Sequence, residues 1–270
     1  MAPRPGPALS ADEFAQFQRL LHELAGIWIA PAKKVMVEGR LLRRLQHHEL
    51  GSFSAYYRLL VEDASERQTA IDLLTTNETH FFREPKHFDF LKHQAARLCA
   101  PGRPLRVWSA ACSTGQEPYT IAMVLSQALP DTPWEVFASD LSVRVLERAR
   151  TARYDMQLTS EIPREYLQAC CLKGVAEEEG YFTIAPELSR RVSFARINLN
   201  EPLPSMEGFD VIFLRNVLIY FQPDIKRTVL TRLLQTLRPG GYLLVGHAES
   251  LHGHTAGLTM TAPAIYRKQP

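Results

Sequence analysis

Cysteine is scarce in this chain. There are four residues in 270, Cys99, Cys112, Cys170 and Cys171, with no CxxC or Cys/His spacing among them. That excludes a disulfide scaffold and a zinc-ribbon site, and makes a reducing cytoplasm the expected compartment. No apolar run approaches the roughly 18 to 20 residues a membrane helix needs, so no direct membrane insertion is expected. The opening MAPRPGPALS has no apolar core segment and reads as a frayed tail, not a signal peptide. Charge of one sign is also missing: 31 Lys+Arg against 29 Asp+Glu leave +2, so composition gives no reason to expect a nucleic-acid partner. A hydrophobic share of 46%, a charged share of 22% and a mean hydropathy of −0.16 exclude disordered and fibrous classes. At roughly 150 residues per domain, the length suggests one large domain with an appendage, or two domains. The chain has no internal repeat.

The first third is helical in pattern. Ser10 followed by Glu13 is a capping-box signature, and Phe14, Phe17, Leu21 and Leu24 recur at helical spacing, predicting a helix over about 10–25. After Pro31 a second periodic stretch spans about 33–48, with Gly51 as its stop and Ser52 as the next cap, and helices follow near 53–62 and 65–74. From Leu105 the texture changes. LRVWSA, WEVFAS, VSFARI, FDVIFL and YLLVGH read as strands, alternating with helices that begin after Gly115, Ser142 and Pro223. Such alternation predicts βαβ units and an α/β, doubly wound, mostly parallel sheet. About 40 residues (153–191) between the second and third strands exceed a plain crossover and predict a separate subdomain.

In doubly wound sheets ligands sit outside the carboxyl ends of the strands. The turn after LRVWSA runs ACSTGQEP (111–118). It lacks the GxGxxG of dinucleotide folds and the lysine of a P-loop, and it places an acid, Glu117, where a phosphate would need neutral or positive surroundings. One glycine, Gly115, together with an acid suits a ligand that carries a cation and no phosphate. S-adenosylmethionine is such a ligand: its ammonium wants a carboxylate and its ribose diol wants another at the end of the second strand, where Asp140 stands. By residue type alone Asp140 is as readily a helix N-cap and Asn198 a turn residue. Asn198 after the third strand and Arg215 with Asn216 after the fourth extend the same row of polar strand ends.

The segments TTNETHFFRE (75–84), VWSAACSTGQEPYTIAM (107–123), FASDLSVRVLERAR (137–150), FDVIFLRNVLIYF (209–221) and LRPGGYLLVGHAES (237–250) resemble the CheR family of chemotaxis receptor glutamate methyltransferases. The resemblance covers nearly the whole chain after residue 10. It implies a helical N-terminal domain (1–75) for receptor recognition, a linker (76–103) folding over the cofactor, and a methyltransferase domain (104–270) of the S-adenosylmethionine-dependent type. The insertion would be a small β-subdomain. It further implies that Asn77, Thr79, Arg83, Gly115, Glu117, Asp140, Asn198, Leu199, Arg215 and Asn216 surround S-adenosylmethionine and its product S-adenosylhomocysteine. Arg83 and Tyr220 would stand nearest the reacting atoms as the catalytic pair.

Carboxyl methylation fits these residue types. A glutamate nucleophile, with a reference pKa of about 4.3, is already ionised at neutral pH and needs no general base. RNVLIYF (215–221) lacks the [DN]PP[YF] arrangement of enzymes that methylate amide or exocyclic amino nitrogens. The implied partner is the acidic cytoplasmic helical domain of membrane chemoreceptors. On a helix of 100° per residue, Lys33, Arg40, Arg44 and His47 fall within about 40° of one line, a candidate substrate-binding face of complementary charge. Some family members also grip a receptor C-terminal peptide through the insertion. Here LKGVAEEEGYFTI (172–184) keeps Gly174 and Gly180 but is acidic, which leaves that tether open. A monomer is expected. Two alternatives stay beside this reading: a non-catalytic sensor of S-adenosylmethionine or S-adenosylhomocysteine, and a methyltransferase of the same fold with another acceptor.

Overall fold

The computed structural model describes residues 7–206, 208–251 and 257–269. The expected frayed tail lies largely in 1–6, outside the described residues. The chain divides into two compact units: residues up to Thr76 with Tyr220–Lys226, and Asn77–Ile219 with Arg227 onward.

The first unit is built on α1 (Ala11–Ala25), α2 (Lys34–His47), α3 (Phe53–Glu62) and α4 (Ala64–Leu74). Each helix starts where local chemistry satisfies its open N–H groups. Ser10 and Glu13 form a reciprocal capping box, Ser52 caps α3 and Asp63 caps α4. Gly26 ends α1 in the left-handed region at φ 72°, the conformation glycine adopts without a Cβ penalty. The Pro31–Lys33 turn is a 3-10 helix that leads into α2, and α2 ends at His48, short of Gly51. Phe14, Phe17 and Leu21 of α1 and Val37, Leu41 and Leu45 of α2 are buried, and the Phe17 ring packs edge-on to Phe53 and Tyr57. A distant segment joins this unit: Ile27 bridges Phe221, and Trp28 N–H donates to the Tyr220 carbonyl at 2.9 Å.

The second unit carries α5 (Lys86–Leu98), β1 (Leu105–Ser109), α6 (Gln116–Ala128), β2 (Trp134–Asp140), α7 (Val143–Arg150), β3 (Arg153–Asp155), α8 (Arg164–Cys170), β4 (Cys171–Lys173), β5 (Tyr181–Ile184), α9 (Pro186–Ser189), β6 (Val192–Arg196) and β7 (Phe209–Leu214). It is completed by most of α10 (Pro223–Thr236), by β8 (Leu237–Val245), β9 (Leu258–Ala262) and β10 (Ile265–Lys268). The main sheet has seven strands in the order β6-β2-β1-β7-β8-β10-β9. Pairs among β6, β2, β1, β7 and β8 are parallel, and β10 runs antiparallel between β8 and β9. Strand order reverses direction at β1, so the crevice outside the ends of β1 and β7 is the switch point at which such sheets bind ligands.

Every residue of β7 is buried, as a strand covered on both faces requires. Its one charged member, Asp210, is compensated at the entry end of the strand by Arg103, Arg238 and the Arg106 N–H. The insertion folds as expected into its own antiparallel sheet, β3-β5-β4. Two features depart from the sequence reading. The segment 76–103 holds a full helix, α5, whose Phe88, Leu91 and Ala95 enter the main core. A closing hairpin, β9–β10, was not anticipated because β9 exposes most of its length and shows little alternation.

Candidate cofactor and active site

The turn after β1 is shaped by one glycine. Gly115 caps α6 at φ 95°, and a Cβ there would lie 2.7 Å from Tyr154 Oη and 2.9 Å from Ala149 Cβ. The glycine is therefore demanded by backbone conformation and by protein atoms packed against it, Tyr154 also donating to the Thr114 carbonyl at 2.8 Å. Asp140, closing β2, accepts from Ser113 N–H at 2.8 Å and Ser142 N–H at 3.0 Å, tying the two strand ends together. Ser113 Oγ in turn donates to the Asn77 carbonyl at 2.8 Å, which fastens the segment carrying Asn77 and Thr79 to this turn.

Arg215, after β7, is the hub. Its side chain is 1% exposed, with Nη1 3.1 Å from Glu117 Oε2 and Nη2 3.3 Å from Glu84 Oε2. Nη2 also donates to the Arg83 carbonyl. Glu117 takes a second hydrogen bond from Ser109 Oγ at 2.7 Å. Burial pushes the Glu117 carboxyl above its ordinary value, with Arg215 and Ser109 offsetting only part of the cost. For Glu84 burial acts in the same direction, but Arg215 and the His247 N–H outweigh it, and its carboxyl titrates below the ordinary value. The Nε of Arg215 is buried with no hydrogen-bond partner. Such a group in a low-dielectric site costs free energy until something accepts from it.

The backbone here is strained. Phe82, Glu84, Ser113 and Asn216 all have φ between 49° and 57°, a left-handed conformation that non-glycine residues adopt at a cost of about 1 kcal/mol or more. Strain of this kind persists only where surrounding contacts over-determine it. Asn216 shows how: its N–H donates to Glu249 at 2.8 Å and its Nδ2 lies 3.4 Å from Glu84 Oε1.

The predicted residues do not all meet. Glu117, Arg215, Asn216 and the backbone of Arg83 form one cluster, and Asp140 joins the Asn77 segment through Ser113. The Arg83 guanidinium, half-buried, donates to the Glu78 carbonyl at 3.0 Å. Asn198 and Leu199 are buried, and the Asn198 side chain makes a local turn with Asn200 N–H and Glu201. Tyr220 falls in the first unit, on the 3-10 turn Leu218–Tyr220.

The basic line expected on α2 needs correction. Lys33 and His47 are exposed, but Arg40 and Arg44 turn into their own unit. Arg40 Nη1 donates to the carbonyls of Leu73, Leu74 and Thr75 at 3.0 to 3.3 Å, closing the C-terminus of α4. Arg44 pairs with Glu66 at 2.5 Å. A helical wheel gives angles but not neighbours, and both arginines sit on the edge of the buried stripe, within reach of acceptors on α4.

Two acids escape the sequence reading. Glu84 ends TTNETHFFRE (75–84), and Glu249 follows β8 in GHAES (246–250), an acid set among small residues directly after an apolar strand. Glu84, His87 and His247 bring metal-ligand atoms within 4.8 Å of one another. The Glu84 oxygen concerned already faces the Arg215 guanidinium, so the cation of this cluster is the arginine. Burial and Arg215 depress His87 to about 4, leaving it neutral near pH 7.

Residues 12–75 match the CheR methyltransferase, all-alpha domain, and residues 77–266 match the CheR methyltransferase, SAM binding domain. The chain is 39% identical to the chemotaxis protein methyltransferase of Escherichia coli K12 over 96% of its length and 91% of that protein. It is also 39% identical to chemotaxis protein methyltransferase 2 of Pseudomonas aeruginosa PAO1, over 94% and 93%, and 32% identical to the chemotaxis protein methyltransferase of Borreliella burgdorferi, over 96% and 95%. An acid-lined switch point, two matching domains and full-length relatives agree: the chain belongs to the CheR family of S-adenosylmethionine-dependent chemotaxis methyltransferases.

Proposed function

We propose that the chain methylates glutamate side chains on the cytoplasmic helical domain of membrane chemoreceptors, giving glutamyl methyl esters. The observation that carries this reading is the pair of acids at the ends of β1 and β2, with the buried Arg215 between Glu117 and Glu84. Glu117 pays for burial with a raised pKa, so an incoming ammonium would both neutralise it and gain from a low-dielectric contact. Asp140, held by Ser113 and Ser142, would accept from the ribose diol, the role an acid at the end of the second strand takes in such sheets. Asn77, Thr79, Asn198 and Leu199 would complete the surround. When bound, S-adenosylmethionine supplies a methyl group on a sulfonium, which an in-line carboxylate oxygen displaces, leaving the carbon–sulfur electron pair on sulfur.

The chain's own task is alignment and exclusion of water, because an anion and a cation combine to neutral products and no proton moves. Arg83 would guide and partly neutralise the acceptor carboxylate, and the Tyr220 hydroxyl would donate to one of its oxygens. On removal of one such donor, Tyr220→Phe should lower turnover by about 100-fold with little change in S-adenosylhomocysteine affinity, and Arg83→Ala should lower both. Steady-state kinetics with calorimetry reads the difference, and wild-type behaviour of both variants would remove these roles. The reading as a whole is tested by incubation with labelled S-adenosylmethionine and a receptor fragment. Label released by mild base is the expected ester; base-stable label would point to nitrogen methylation and overturn the proposal.

The exposed Lys33, Arg43 and His47 of the first unit suit an acidic receptor helix, with the committed Arg40 and Arg44 supporting the helix that presents them.

A further inference from the structure

Glu249 is a buried carboxylate beyond the exit of β8. It is 7% exposed, and no lysine, arginine or histidine pairs with it among the described contacts. Instead it gathers backbone N–H groups from two loops: Gly246 at 2.6 Å and Asn216 at 2.8 Å on Oε2, Leu218 at 2.6 Å and Ile219 at 3.3 Å on Oε1. Three of the four donors belong to the turn that leaves β7, between Arg215 and Tyr220. The fourth comes from the exit of β8, where a Cβ on Gly246 would lie 2.5 Å from Asn216 Nδ2 and 2.9 Å from Glu249 Oε2. Position 246 is thus open only to glycine if the carboxylate and Asn216 are to stay where they are.

Asn216 is in the left-handed region, and residues 216–219 are not part of the sheet ladder. Four convergent N–H groups on one buried carboxylate supply what a strand partner would supply elsewhere. Arg215, by contrast, is anchored independently through Glu84 and Glu117.

We infer that Glu249 is a positioning residue for methyl transfer: through Asn216, Leu218 and Ile219 it fixes the β7 exit turn that runs on to Tyr220, proposed above to hold the acceptor carboxylate, while the Arg215 side chain keeps its own partners, Glu84 and Glu117. This rests on the methyltransferase reading and adds a division of labour within the site. Burial raises the Glu249 carboxyl above its ordinary value, with the N–H groups from Gly246, Asn216, Leu218 and Ile219 acting against the shift.

The test separates turnover from binding in the full-length protein. Glu249→Gln keeps the shape but sets an amide NH₂ against backbone donors, and Gly246→Ala crowds both the Glu249 carboxylate and the Asn216 side chain of the same turn. Both should lower kcat for receptor methylation about tenfold or more, with S-adenosylhomocysteine affinity kept within about threefold. Asp210→Asn, which disturbs a buried carboxylate at the other end of β7, serves as the control: it should lower Tm but leave kcat unchanged. In the unaltered protein, the amides of 216, 218 and 219 should exchange as slowly as those of β7, a measurement that needs no variant to fold. Unchanged kcat in both variants, parallel loss of cofactor affinity, equal loss of kcat in Asp210→Asn at matched Tm, or fast exchange at 216–219 would each overturn the inference. Absence of base-labile methylation by the unaltered protein would instead defeat the functional reading itself.

Discussion

Each unit buries one arginine–glutamate knot, and the two are built to different standards. In the first unit Glu66, 4% exposed, accepts from Arg44 Nε at 2.8 Å, Arg44 Nη2 at 2.5 Å and Tyr56 Oη at 2.6 Å, with His48 3.0 Å away. Although burial opposes it, these donors bring Glu66 down to about 2. In the second unit Arg215 leaves Nε without an acceptor, Glu117 is pushed up instead of down, and four non-glycine residues around it are strained. A saturated ionic network stabilises a fold. An unsaturated, strained one of similar burial is held in place by the rest of the structure, in keeping with the proposed role in binding S-adenosylmethionine.

Removing the arginine should separate the two knots most sharply. Arg215→Met is expected to reduce S-adenosylhomocysteine affinity and turnover by about 100-fold or more, because it unpairs Glu117 and Glu84 at the switch point. Arg44→Met should instead cost about 3 kcal/mol of stability and leave turnover per folded molecule close to wild type. Calorimetric binding and thermal melts of the two variants check this, and a pattern the other way round would break the contrast.

Acid should act on the same contrast. Glu66 titrates near 2 in the folded state against an ordinary 4.5, so its contribution to stability is fully present above about pH 4.5 and is lost as pH falls towards 2. Glu117 has the opposite sign, since its folded carboxyl is raised, so ionising it costs stability as pH rises through its ordinary range. Acid melts of the wild type and Glu66→Gln should therefore converge at low pH, while cofactor affinity of the wild type should fall at a higher pH than the one at which Glu66 loses its contribution. The smallest expected effect is on the surface. Lys33→Glu with Arg43→Glu should slow receptor methylation a few-fold at low salt and hardly at all at high salt, leaving cofactor affinity alone. Equal activity of this variant at both salt levels would remove the basic face from receptor recognition.

Much of the architecture is legible from pattern alone. Capping chemistry at Ser10 and Ser52 marked helix starts, and the unbroken apolar run of FDVIFL marked a strand covered on both faces. The acid in ACSTGQEP, with no glycine-rich loop, was enough to prefer a sulfonium ligand over a pyrophosphate. What escaped was whatever depends on who sits next to whom. Arg40 and Arg44 look like a surface stripe until the C-terminus of α4 and Glu66 are brought against them. Gly115 reads as a place for a ligand to approach, yet Tyr154 and Ala149 occupy that approach. Glu249 is invisible as a turn-holder because its four donors come from positions 216, 218, 219 and 246.

Sequence by itself determined the helical first unit, the order of strand and helix in the second, and the residue types at the strand ends, because periodicity, caps and strand-end polarity are local properties of the chain. Tertiary structure alone decided which charges are saturated by partners, as at Glu66, and which are not, as at Arg215. That choice is made by distances between residues such as Glu117 and Arg215, 98 positions apart in the chain and 3.1 Å apart in space, and no local rule encodes such a distance.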